Sequence, residues 1–412
     1  MNHVKKKLRL TKVSPVILLI FISMFIFLRL PGALVLFTLF VLMCFVFIRI
    51  PKTNIVKVSN LSLHIFFIVG LISSFISFLL FTKVTLISSY FFPFLSFYLF
   101  FLCMSMSQRY PDYPMLIERV MFYAFSIIAL IAIFEALFNV NLASVIYPTS
   151  ETLPYMQADR FFVSAIYVNF NDFSAAMIIY TLQLITRIEN SRERLLNVIY
   201  LVLFAFIFGI CFYMGSRGYL VSLLLYLAIR LYLWTKLKFS KSVLKLFIIG
   251  FFIAILVTGI LFSSYLSLYA LDNSNMKRLW IFGNYIKMIL IDINYFIWGF
   301  GGYLNYQEMA RFDCSWCTVD PHNLFLELII AYGGGAFLSF LFLYIYTIFY
   351  FFNNSEYFSN NEKLLTSIFI LTFVSGTIPS SSLKYYYIFF ILVAIPSIIS
   401  NVKIRQRSLL NN

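Results

Sequence analysis

Charge is scarce in this chain: 11% of the residues are Asp, Glu, Lys or Arg, where a soluble domain carries about a quarter. Apolar residues make up 62%, against about half in a soluble domain, so much of that surface must face lipid. Acidic residues are the rarer sign, 16 against 31 Lys and Arg, and no Asp-rich motif of the DxD kind occurs. With five Cys and three His, no zinc-type spacing involves more than one Cys pair. A metal centre and cytoplasmic disulfide chemistry are therefore not expected. Low-complexity sequence is also rare, which argues against disorder. No small-residue cleavage site follows the basic start and first apolar stretch, so no cleavable signal peptide is expected. The net charge of +15 does not point to nucleic acid, because the basic residues sit in short clusters between apolar runs, as the positive-inside rule requires.

A spanning helix needs roughly 20 apolar residues. The pattern predicts about twelve, over residues 14–30, 32–48, 61–81, 84–106, 115–137, 173–187, 195–214, 218–234, 246–264, 322–350, 364–379 and 385–400. The sixth is short and should extend at either end. Lys5, Lys6, Lys7, Arg9 and Lys12 precede the first helix, and Arg49, Lys52 and Lys57 follow the second. Arg187, Arg192 and Arg194 follow the sixth, Lys236, Lys238, Lys241 and Lys245 the eighth, and Lys403, Arg405 and Arg407 end the chain. With that span count every cluster falls on one side, which is the cytoplasm. The expected fold is an all-α polytopic membrane protein with both termini inside. Its units are five helices over 1–137, an outer loop over 138–172, four helices over 173–264, a large outer loop over 265–321, and three helices with a basic tail over 322–412. Residues 276–290 mix apolar and basic residues like a helix lying at the membrane surface.

Ionisable groups at membrane depth cost a few kcal/mol, so each is a candidate for function. Arg217 lies in the short Gly215-Ser216-Arg217-Gly218 turn, where a guanidinium can bind phosphate with two parallel hydrogen bonds or simply snorkel to the interface. Lys277 and Arg278 open the interfacial helix, and anchoring to lipid headgroups is the alternative reading. Asp320-Pro321-His322-Asn323 reads as a helix start, with Asp320 as the cap, Pro321 at the first helical position and His322 in the first turn. The positive helix end keeps imidazole neutral and able to accept a proton; a structural cap region is the alternative. Arg160 and Asn169-Phe170-Asn171-Asp172 precede the sixth helix, where polar residues are commonly caps. Cys314 and Cys317 share the outer loop as a disulfide or as two thiols. Gly333-Gly334-Gly335 predicts a bend or close helix packing.

The order of these motifs resembles the superfamily of bacterial O-antigen polymerases and O-antigen ligases. The series is Ser216-Arg217-Gly218, then Arg278-Leu279-Trp280, then Gly299-Phe300-Gly301-Gly302, then Asp320-Pro321-His322-Asn323-Leu324-Phe325-Leu326-Glu327 leading into Tyr332-Gly333. Phe134-Glu135-Ala136-Leu137 and Asn171-Asp172-Phe173 add to it. The resemblance runs from about residue 130 to 335. Each motif is short, and their order and common side of the membrane carry the specificity.

This resemblance implies an inverting glycosyl transfer at the periplasmic face of the bacterial inner membrane. The donor would be a glycan on undecaprenyl pyrophosphate, with no nucleotide sugar, metal or other cofactor. Arg217 and Arg278 match positions that hold the donor pyrophosphate, and His322 matches the proposed base. Arg160, Asn171, Glu135 and Asn323 are expected to contact substrate. The Asp320–Glu327 stretch and the Phe, Ile, Asn and Lys bias look more like a polymerase than a ligase, the alternative. A lipid-linked oligosaccharide flippase fits less well, because its spans should carry buried charge and its outer loops should be short. Besides the lipid bilayer and the lipid-linked oligosaccharide, a chain-length regulator is an expected partner, and nucleic acid is not. Topology provides the first test: tags after Ser400 and within 187–194 should report cytoplasm, and tags within 138–172 or 303–318 the outer face. A cytoplasmic signal from 303–318 would separate the Arg and His residues from a flipped substrate and end this reading.

Overall fold

The computed structural model describes residues 58–81, 91–106, 112–140, 142, 163, 165, 167, 170–238, 283–287, 289–291, 293–299, 323–376 and 387–410. Within them the chain forms α1 (Val58–Phe81), α2 (Phe92–Met106), α3 (Tyr113–Phe138), α4 (Phe170–Asn190), α5 (Arg194–Tyr213), α6 (Arg217–Lys238), α7 (Ile293–Trp298), α8 (Leu324–Asn354), α9 (Asn360–Ser375) and α10 (Tyr387–Leu410). No strand occurs among the described residues. Helices α3, α5, α6, α8 and α10 are each long and apolar enough to cross a membrane. The protein is an all-α polytopic membrane protein. The predicted first, second and ninth spans lie outside the described residues.

The short sixth span becomes α4, longer at both ends than its apolar stretch. It is the centre of the bundle, packed against α3, α5, α6 and α9. From Asp172 to Leu184 every residue of α4 is buried. A helix that meets protein rather than lipid on all sides can carry polar side chains, provided each finds a partner. Tyr180 shares a hydrogen bond with Ser126 of α3 at 3.1 Å. Gln183 donates to the backbone oxygen of Glu118, also on α3, at 2.8 Å. Thr181 and Thr186 bond Tyr219 and Tyr226 of α6 at 2.8 and 2.9 Å. By contrast α5 is an edge helix. Only Ile207 and Cys211 on it are buried, while Leu195, Leu201 and Phe212 are exposed as a lipid-facing side should be.

These contacts fix direction. Along α4 and α6 the paired positions rise together, 181 with 219 and 186 with 226, so the two helices are parallel. Helices α6 and α8 touch near their C-termini through Tyr232 and Phe352, whose rings lie 5.1 Å apart. Lys236 also reaches the Phe352 carbonyl, at 2.6 Å. They too are parallel. The N-termini of α4, α6 and α8 therefore share one end of the bundle. The other end gathers the ion pairs Glu118–Arg187, Glu189–Arg230, Lys236–Glu356 and Glu362–Arg405.

The predicted bend falls at Gly333, where φ is 77° and ψ is 169°, a backbone region essentially restricted to glycine. The bend admits the end of α7. Gly299 closes α7 with φ 72°, and its amide bonds the Tyr295 carbonyl at 3.1 Å. Ser77 of α1 donates its hydroxyl between the carbonyls of Trp298, at 2.7 Å, and Gly299, at 2.9 Å. The first glycine of the GFGG motif and the YGG motif thus meet backbone to backbone, pinned by a serine that neither contains. A methyl added at Gly333 would stand 2.2 Å from the Ile297 carbonyl oxygen. Gly333→Ala should lower stability by at least the roughly 1–3 kcal/mol of a strained residue. Gly209→Ala, with nothing within 4 Å, should be neutral or slightly stabilising. Thermal unfolding in nanodiscs distinguishes them, and equal melting of both variants would contradict this junction.

Candidate functional site

Of the candidate residues, the described ones, Glu135, Asn171, Arg217 and Asn323, lie at the end where α4, α6 and α8 begin. Each helix N-terminus carries roughly half a positive charge, so three parallel helices polarise this end in one sense. They differ in how that charge is met. Helix α4 places the buried carboxylate of Asp172 in its first turn. Helix α8 is capped by Asn323, whose side-chain oxygen accepts from the amides of Phe325 at 3.0 Å and Leu326 at 3.1 Å. Helix α6 has neither device. Its first residue is Arg217, which is exposed.

The turn before Arg217 is built by a Schellman motif. The Ser216 amide reaches back to the Cys211 carbonyl at 3.1 Å and the Gly215 amide to Phe212 at 2.9 Å, with Gly215 at φ 69°. This geometry needs a left-handed residue at one place, and glycine supplies it. The chain reverses within three residues, so Arg217 starts α6 at the same level as the end of α5. Ser216 accepts the first helical bond of α6, from Leu220 at 3.2 Å. Its own hydroxyl is buried without a hydrogen-bond partner among the described residues. A cation at a helix N-terminus is opposed by the helix dipole by about 0.3–1 kcal/mol. An anion held between the guanidinium and the helix end would reverse that sign.

Glu135, expected to touch substrate, is fully buried, and both its carboxylate oxygens accept backbone bonds. One comes from the Leu142 amide at 2.6 Å, the other from the Ala165 amide at 2.7 Å. Its main-chain oxygen also accepts from Asn139 and Val140. Ala165 holds a left-handed conformation, φ 51°, which costs a non-glycine residue about 1–2 kcal/mol and is offset by this charged acceptor. The carboxylate therefore ties both ends of the 138–172 segment to the top of α3 and sets where α4 begins. Asn171 sits partly buried in the first turn of α4. The cap of α8 is a correction to the sequence reading. Asn323, three residues later than Asp320, performs it, because an Asn at extended φ of −155° reaches the amides two and three residues on. Helical structure begins at Leu324, so the first turn does not include residue 322. Arg160, Arg278, His322, Asp320 and the Cys314 and Cys317 pair lie outside the described residues.

Of the predicted surface helix over 276–290, residues 283–287, 289 and 290 are described and helical, and helix continues past the predicted end at residues 291 and 293–298. Asn284 and Tyr285 face inward, while Ile286, Lys287, Leu290 and Ile291 are exposed, so its outer face mixes apolar and basic side chains. Sequence reasoning missed Ser77 altogether, since a lone Ser in an apolar helix carries no signal. The Glu135 clamp makes a test. Glu135→Gln keeps one acceptor but turns an N–H donor against a backbone amide, at a cost of about 1–3 kcal/mol. Hydrogen exchange at Leu142 and Ala165 should rise about tenfold or more. Wild-type protection at both amides would remove the clamp.

Comparison with known proteins bears on the same region. Residues 201–341 match the family model described as O-antigen ligase. That match runs from within α5 through α6 and α7 to the bend of α8, including the Arg217 turn and the Gly299–Gly333 junction. Comparisons with curated proteins and with solved structures returned no match. Over residues 201–341 the chain is thus similar to the O-antigen ligase family.

Proposed function

We propose that this protein is an O-antigen polymerase, which transfers a growing glycan from undecaprenyl pyrophosphate to the next lipid-linked repeat unit at the periplasmic face of the inner membrane. The observation that carries this reading is Arg217, an exposed arginine that opens α6 beside two parallel helix starts, with no acidic residue in the first turn of its own helix. The reaction forms a bond from an acceptor sugar hydroxyl to the anomeric carbon and breaks the bond to pyrophosphate. The displaced oxygen gathers negative charge, and fixed positive groups aimed at it supply the largest catalytic term. Arg217 and Arg278 hold that leaving group. The buried Ser216 hydroxyl and the start of α6 add donors beside it. His322 takes the hydroxyl proton, immediately before the cap that anchors α8. A single in-line displacement inverts the anomeric centre. Arg160 and Asn171 contact the glycan, while Glu135 and Asn323 act as positioning residues through the backbone bonds they make. The Asp320–Glu327 stretch favours polymerase, and the name of the matched family keeps ligase as the second reading.

Deleting the gene and examining the surface polysaccharide on a gel separates the classes. Loss of a polymerase leaves core plus a single repeat unit. Loss of a ligase leaves bare core with long chains still on the lipid carrier, and loss of a flippase leaves neither. In the complemented strain, Arg217→Lys and Arg278→Lys should each remove most polymer while the protein still inserts, because an ammonium lacks the fork that grips two oxygens. The double variant should be little worse than either alone. His322→Gln should make no detectable polymer, since general-base help is worth about 10² to 10⁴ in rate and an amide cannot take the proton. Normal polymer length in both Lys variants would leave the arginines as interfacial anchors.

A further inference from the structure

The opposite end of the bundle holds a cavity of about 160 Å³ between α6, the turn at Ser355–Tyr357 and the start of α9. Arg230, Trp234, Ser355, Glu356, Asn360 and Lys363 line it. At 1.5 Å per residue, Arg230 stands roughly 20 Å along α6 from Arg217, so this cavity is no part of the site described above. Its charges are unevenly matched. Glu189 pairs with Arg230, and Glu356 pairs with Lys236 at 3.5 Å. Lys363 is partly buried, is repelled by Arg230 and is drawn only towards Glu356. Among the described residues no hydrogen bond or ion pair reaches its ammonium. Three cations thus face two carboxylates, an excess of one positive charge in a partly closed space.

A single negative charge would balance the cavity, and the space holds a group several waters in size, since water takes up ~30 Å³ in the liquid. The outer wall indicates where that group comes from. Leu224, Leu227, Leu231 and Trp234 are all exposed and recur three or four residues apart, so they form one stripe on α6. The stripe runs from the middle of the helix to the cavity mouth, and Trp is the side chain suited to the boundary between tails and headgroups. We propose that this cavity binds the phosphodiester headgroup of an anionic phospholipid, with its acyl chains along the α6 stripe. Basic pockets between membrane helices take lipid headgroups in this way. Under the positive-inside orientation the lipid belongs to the cytoplasmic leaflet, and the proposal does not depend on the transfer chemistry at the other end.

Native mass spectrometry of the full-length protein, with phosphatidylglycerol or phosphatidylcholine added at defined ratio, tests it. The wild type should retain one phosphatidylglycerol at least tenfold more strongly than phosphatidylcholine. Lys363→Gln should abolish that preference. Glu356→Gln, which removes a competing carboxylate, should strengthen phosphatidylglycerol retention several-fold, so the idea stands or falls even where the Lys363 variant folds poorly. Millimolar inorganic phosphate should not displace the lipid; displacement would overturn the lipid source in favour of free phosphate. Equal retention of both lipids by the wild type, or an unchanged preference in Lys363→Gln, would overturn the site itself.

Discussion

The rest of the structure depends on one constraint: from Asp172 to Leu184 α4 has no lipid-facing side, so its polar side chains look to neighbouring helices for partners. That requirement sets helix register where apolar packing alone would leave it loose. Tyr180 and Gln183 lock α4 to α3, and Thr181 and Thr186 lock it to α6. Near the C-terminal end of α4, Arg187 bonds both oxygens of Glu118, at 2.9 and 3.2 Å, and lies over the Phe122 ring at 3.7 Å. A buried pair of this kind adds little net stability over an apolar replacement, but breaking it by removing one partner is strongly destabilising. Its consequence is directional, because it holds α3 antiparallel to α4 with their charged ends together.

Two unlike ends follow. One gathers four ion pairs and the basic residues near the C-termini of α6 and α10. The other gathers helix starts, a backbone junction and an exposed arginine. At that second end α4 begins with Asp172 and α8 with the Asn323 cap, while α6 begins with the exposed Arg217 and has no acidic residue in its first turn. The Gly299–Gly333 contact sits below this region and lets α7 reach α8 with no side chain between them. Freed backbone groups at membrane depth must find partners within the protein, and the Ser77 hydroxyl bonding the Trp298 and Gly299 carbonyls provides one.

Much of this was legible in the sequence, for physical reasons that also mark where legibility ends. Lipid-facing helices advertise themselves, so α5, α6 and α8 stand close to their apolar runs. Helix α4 read as too short because its ends and one side are polar, and a central helix is free of the hydropathy demand. The glycine run announced a bend, since glycine in a helix is costly without a purpose, and the bend occurs at Gly333. What fills the bend was not legible. Contact between Gly299 and Gly333 depends on the two backbones meeting, and Ser77 lies more than two hundred residues from its partners. Glu135 stood out through its motif, but its pattern could not distinguish a carboxylate aimed at a sugar from one aimed at Leu142 and Ala165 amides. Asp320 and Asn323 are both good caps by type, and only the backbone geometry at Asn323 decided between them.

The central claim is that the end bearing Arg217 serves a reaction whose leaving group is a lipid-bound pyrophosphate. The most direct measurement gives the purified protein, in nanodiscs, a lipid-pyrophosphate-linked repeat unit as sole substrate. Glycosidic bonds formed and free lipid pyrophosphate released are counted together. The account predicts polymer without any nucleotide sugar, with one lipid pyrophosphate released for each bond made. Polymer that forms only when a nucleotide sugar is supplied, or bond formation without release of lipid pyrophosphate, would contradict it.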